Sequence, residues 1–151
     1  MWDTGIALYA LTDCGLDHED ESCAAAADWL RARECRFKGD WVRSLGKGRG
    51  DAVEFSGWYF EYRNSWYPDL DDTAMVAMAL HRAGGDANLA SAARGLEWIR
   101  VMQNDDGGWG AFDRNNNRQF LCYVPFADHN AMIDPSSPDL TGRVLESLGK
   151  L

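Results

Sequence analysis

Pro68-Asp69-Leu70-Asp71-Asp72-Thr73-Ala74-Met75-Val76-Ala77-Met78-Ala79-Leu80 sets three carboxylates within one turn, between a proline and an apolar run. Proline disfavours helix at Tyr67, and the run after Asp72 suits a helix, so the carboxylates sit where that helix begins. One reading is an N-cap followed by acidic first-turn residues, because anions are favoured at a helix's positive end. Capping needs one such residue or two. Three carboxylates this close repel one another, and holding a proton on one of them relieves the repulsion. The second reading is therefore a carboxylic acid kept neutral and ready to give up its proton.

The same start recurs along the chain. Asp3-Thr4-Gly5 opens an apolar stretch to Leu11 that stops near Gly15, and Asp72-Thr73-Ala74 opens one that stops near Gly84-Gly85. Asp139-Leu140-Thr141-Gly142 opens a third, which runs to Leu151. The three threonines stand 69 and 68 residues apart, Trp29 and Trp98 stand 69 apart, and Trp41 and Trp109 stand 68 apart. Three markers with one period define a repeat.

Each unit reads as two helices and a long loop. The second helices are the Ala- and Leu-rich stretches Cys23 to Arg33 and Leu89 to Met102. The segments at 36–68 and 104–138 are rich in Gly, Asn, Asp and Pro, and loops of that length in a compact domain are usually functional. Trp58 to Tyr62 has strand propensity but is too short and isolated to make a sheet. Helical hairpins at this period predict an all-α fold, an α/α toroid with inner helices around a cavity and outer helices behind them. The units run over about 3–71 and 72–138, with a third starting at 139. A closed ring needs about twice as many. Repeat units are stabilised by neighbours and by terminal caps, so residues 1–151 are expected to be about half of a catalytic α/α barrel in a longer protein.

Composition narrows the function. The 151 residues carry a net charge of −9, which argues against nucleic acid, whose partners are basic. No apolar run approaches the ~20 residues of a spanning helix. Met1-Trp2-Asp3 lacks the basic start of a secretory signal, so none is expected. Cys14, Cys23, Cys35 and Cys122 have neither CxxC spacing nor a nearby histidine pair, which fits reduced thiols and not a zinc site. His18, His81 and His129 share no spacing with a partner and read as surface or loop residues. Seven Trp, six Phe and five Tyr are a heavy aromatic load for this length.

At this point the residues resemble the squalene–hopene cyclases, the bacterial triterpene cyclases. Asp69-Leu70-Asp71-Asp72-Thr73-Ala74 is similar to their DxDDTA acid motif. Arg94-Gly95, Trp98-Ile99, Gln103 and Gly107-Gly108-Trp109 resemble their QW repeat, in which Gln and Trp join outer helices. An earlier copy, Ala26 to Trp41, has Glu34 where Gln is expected. Trp2-Asp3-Thr4-Gly5, Gly108 to Asp113 and Pro125-Phe126 extend the likeness over essentially the whole chain.

The resemblance implies an isomerase that protonates a terminal double bond of squalene and cyclises it to hopene, with neither metal nor redox cofactor. Asp71 would be the Brønsted acid, with Asp69 and Asp72 holding its geometry. The family's basic residue in the next inner helix, often histidine, falls on Arg143. Arginine is permanently charged and bidentate, so it can orient a carboxylate but cannot relay a proton, and recharging the acid would fall to water. Phe60 and Phe112 match aromatic positions beside the early cations, Trp2 matches one deeper in the cavity, Asp3 a nearby acidic position, and Phe126 a residue narrowing the substrate channel. Aromatic faces attract a desolvated cation by about 2 kcal/mol or more. From residue type alone these four aromatics are core or cover, since aromatics dominate burial, as are Tyr59 and Tyr62. The resemblance further implies squalene as partner, a peripheral seat on the cytoplasmic side of the cell membrane, and room for a homodimer.

Three other functions stay open on the residues. A class II diterpene cyclase shares the acid motif but binds a diphosphate, for which no motif is visible here. An α/α glycoside hydrolase spreads its two carboxyls ~5–9.5 Å apart on separate elements, whereas these crowd one helix start. A non-catalytic helical-repeat fragment would only pack on a partner.

Overall fold

The computed structural model describes residues 1–45, 54–124 and 132–150. Five α-helices carry them: α1 (Trp2–Asp13), α2 (Glu21–Arg31), α3 (Leu70–Ala83), α4 (Asp86–Val101) and α5 (Pro138–Lys150). Short 3-10 turns at Asp40–Leu45 and Gln119–Tyr123 interrupt the two long loops. Among the described residues there is no strand, only the isolated bridges Cys35–Gly57, Trp58–Asp69 and Asn116–Asp134. No described helix is long and apolar enough to cross a membrane.

Helix α3 is the axis of the arrangement. It is buried from Asp72 to Leu80 without interruption. A helix apolar all round needs neighbours on every side, and α3 packs on α1, α4 and α5. Helices α1, α3 and α5 form an inner row, with α2 behind α1 and α4 behind α3.

The repeat is held by one set of bonds made twice. The Trp58 indole Nε1 donates to the carbonyl of Leu30 at the end of α2 (2.8 Å), and Trp109 Nε1 donates to Ile99 near the end of α4 (2.8 Å). The backbone N–H of Trp58 donates to the Thr73 hydroxyl (3.0 Å), and that of Trp109 to the Thr141 hydroxyl (3.2 Å). The carbonyl of Trp58 accepts from Asp69 N–H, and that of Trp109 from Ser137 N–H. The starts of α3 and α5 are each thereby tied through one tryptophan to the outer helix of the preceding unit.

This corrects the pairing read from sequence, which set Trp41 against Trp109. Spacing fixes a period only where loops are of equal length, and the first loop reaches its equivalent tryptophan 17 residues later. Trp41 instead packs on Phe55 and Trp98, with ring centroids 4.7 and 5.9 Å away. Glu34, in the place of the expected Gln, joins the outer helices as a carboxylate. It accepts from Ser91 (2.7 Å) and from both Nε and Nη2 of Arg94 (2.9 Å each). These bonds hold its carboxyl below the ordinary range even though burial, the largest influence, pushes the other way.

Candidate active site

Asp69 has an extended backbone (φ −122°, ψ 157°), as an N-cap requires, and its Oδ1 accepts the Asp72 N–H at 2.7 Å. Its carbonyl accepts the Thr73 hydroxyl at 2.6 Å, and the Leu70 N–H donates to the carbonyl of Ala111 at 2.9 Å. The first turn of α3 is thus held from the loop before it and from the loop after α4.

The three carboxylates divide into two environments. Asp69 and Asp72 are 5% and 2% exposed, and Asp72 Oδ1 is buried without a hydrogen-bond partner among the described residues. Burial, then the charge of Asp72, pushes the Asp69 carboxyl up to about 8. Burial also raises Asp72, while its contact with Asp69 works in the opposite direction. Two buried carboxylates on one turn resist ionising together, which favours the protonated form of the pair.

Asp71 stands apart from them. Its side chain is 40% exposed and its Oδ1 lies 2.5 Å from Arg143 Nε on α5. Burial raises its carboxyl, and the Arg143 charge and hydrogen bond oppose that without reversing it. Arg143 is itself held: its guanidinium carbon lies 4.7 Å from the centroid of the Trp2 ring, and Nη1 lies 4.0 Å from Met75 Sδ. One arginine thus bridges α1, α3 and α5 over the acidic turn.

The structure brings Asp69, Asp71, Asp72, Arg143 and Trp2 together at one end of the inner helices. Asp3 is exposed on the first turn of α1, and its charge reaches Asp72 and contributes to raising it. Phe112 lies in the loop that receives Leu70 N–H, with its ring 5.4 Å from Tyr67 in an edge-on contact. Phe60 is 70% exposed, two residues beyond Trp58. Trp2 presents its ring to Arg143, a contact invisible in a sequence that separates the two by 141 positions. Phe126 and His129 lie outside the described residues. Two residues have no site role in the sequence reading. Tyr67 packs on Phe112, and Asp134 accepts three backbone N–H groups from the Phe112 loop. An Asp before Pro135-Ser136-Ser137-Pro138 is a turn signal, the only trace of Asp134 that a sequence offers.

An acidic turn tied to two loops and an arginine on the next inner helix facing its middle carboxylate make up the candidate site on this helical scaffold. Residues 1–151 match the squalene–hopene cyclase C-terminal domain, and the chain belongs to that family, whose fold is the α/α toroid. It is 40% identical to the squalene–hopene cyclase of Zymomonas mobilis over 156 residues, covering 99% of this chain and 23% of that protein. It is 41% identical to that of Bradyrhizobium diazoefficiens, covering 100% of this chain and 23% of the relative. It is 43% identical to enfumafungin synthase of Hormonema carpetanum, covering 99% and 11%. The chain therefore spans about a quarter of the bacterial relatives' length or less. Family membership removes the glycoside hydrolase reading.

Proposed function

We propose that this chain supplies the acid and part of the cavity wall of a squalene–hopene cyclase, in which Asp71 protonates a terminal double bond of squalene. The observation that carries the reading is the division of the acidic turn. Asp69 and Asp72 are buried, whereas Asp71 beside them is accessible and held by Arg143. The names of the bacterial relatives support squalene as the substrate.

The proposed step balances simply. The alkene π pair takes the Asp71 proton, one carbon gains a C–H bond and its neighbour becomes a tertiary cation. Asp71 is left as a carboxylate facing Arg143, whose fixed positive charge stabilises it. Arg143 keeps all its protons throughout, so Asp71 regains its own from water or from the Asp69–Asp72 pair. Phe60 and Phe112 present π faces to the cations that follow, and Trp2 contributes by holding Arg143. Because squalene partitions into lipid, the proposal includes loading at a membrane surface.

Asp71→Asn in the full polypeptide that carries this chain tests the reading. Asn keeps the shape and loses the acidic proton, so squalene turnover followed by gas chromatography should fall by at least about 10²–10⁴-fold. Turnover near wild type with an unchanged helical circular dichroism spectrum would remove Asp71 as the acid.

A further inference from the structure

Asp134 lies in the segment before α5, outside the acidic turn, and its carboxylate is committed to a neighbouring loop. Oδ1 accepts from Ala111 N–H at 2.8 Å, and Oδ2 accepts from Phe112 N–H at 2.6 Å and Asp113 N–H at 2.7 Å. Three successive backbone donors converging on one carboxylate form an anion nest whose occupant is built into the chain. Charge-assisted bonds of this kind are about twice as strong as neutral ones. The Asp134 N–H donates to the carbonyl of Asn116 at 2.7 Å, so the residue is anchored at its backbone as well.

The nest joins two parts of the proposed site. The Ala111 carbonyl accepts from Leu70 N–H, within the acidic turn, and the next residue is Phe112. Gly110 completes the fit. A Cβ there would lie 2.5 Å from the Asp134 carbonyl oxygen and 2.8 Å from its Cγ, so no larger residue leaves the carboxylate in place. We infer that Asp134 is a positioning residue that clamps the 110–113 loop, fixing the Ala111 carbonyl on the first turn of α3 and the Phe112 ring against Tyr67. This rests on the cyclase reading above for its consequence in catalysis, and on the geometry alone for the clamp.

The test uses the full polypeptide with Asp134→Asn, Gly110→Ala, Asn104→Ala and Asp71→Asn. Asn at 134 keeps one acceptor and turns an NH2 group on the remaining backbone donors. Gly110→Ala displaces the carboxylate without changing charge, and decides the matter if the Asn variant does not fold. Asn104 ties the same loop system through Asn115 N–H and Ser136, away from residues 111–113, so its variant reports general loosening.

Two readouts separate the possibilities. Hydrogen exchange by mass spectrometry should quicken in peptides covering 69–73 and 110–114 for Asp134→Asn and Gly110→Ala, and not in α4. Turnover should fall by about 10²-fold with KM within about threefold, and incompletely cyclised products should appear. Asn104→Ala should lower the thermal midpoint with wild-type products. Unchanged exchange at 69–73, or the same product shift in Asn104→Ala, overturns the clamp. An active Asp71→Asn enzyme with quickened exchange at 69–73 would sink the cyclase reading while the clamp stands.

Discussion

At the scale of single residues, the site turns on where one proton resides. Asp69 is nearly fully buried against Asp72, with its carboxyl pushed up to about 8, whereas in an unfolded chain it would lie near 3.9. Between those values the folded chain binds a proton that the unfolded chain releases. Stability contributed by this group is therefore full below about pH 4 and is lost as pH rises through 8. Asp69→Asn keeps the oxygen that accepts Asp72 N–H and removes the ionisation. The variant should gain on wild type as pH rises from 5 to 8.5, by a thermal midpoint shift of several degrees, since about 1 kcal/mol is roughly 2–4 °C at this size. Melting curves at four pH values would test it, and a constant difference across them would deny a titrating Asp69. Arg143→Ala belongs here too. Under the proposed mechanism it removes the support for the Asp71 carboxylate and should lower kcat more than it changes KM. Equal pH–rate profiles for variant and wild type would reduce Arg143 to packing against Trp2.

At the scale of elements, the helix starts were legible because capping and proline chemistry are local. The acidic turn and the glycine stops follow from nearest-neighbour rules, the threonine spacing marks the repeat, and the helices stand within a few residues of the expected bounds. What the sequence hides is which indole closes each unit, because loop lengths differ between repeats and spacing alone then picks the wrong tryptophan. The bonds make this measurable. Trp58→Phe removes the indole donor from the Leu30 carbonyl, which keeps the Arg33 N–H, and should cost about 0.5–1.5 kcal/mol. Trp41→Phe loses a Nε1 that has no partner among the described residues, and should cost less. Denaturant midpoints for the two variants should fall in that order. Gly95→Ala adds a third probe, since its Cβ would lie 3.1 Å from the Trp58 ring and 3.3 Å from Thr73 Cγ2. Overpacking there should cost about 1–3 kcal/mol.

At the scale of the molecule, the three inner helices stand side by side as one wall, with the acidic turn and the loop aromatics at one end. The acidic helix start itself was readable from three carboxylates and a proline. Its surroundings were not, because the Trp2–Arg143 stack and the Asp134 clamp join residues 141 and about 22 positions apart, which no local rule couples. Phe60, Tyr62, Trp66, Tyr67, Phe120 and Tyr123 are exposed on the two long loops. Exposed aromatic surface on that scale marks a binding surface or an association liability in a soluble chain. A wall also leaves a substrate open to water, where a cation would be trapped before rings form, so the acid alone does not make a cyclase. The 151 residues expressed by themselves should therefore be helical, bind a hydrophobic dye and self-associate, with no cyclised product from squalene. Light scattering behind size-exclusion chromatography, dye fluorescence and gas chromatography of a squalene incubation would check each part. A sharp monomer without dye binding that yields hopene would show that one wall and its acid suffice.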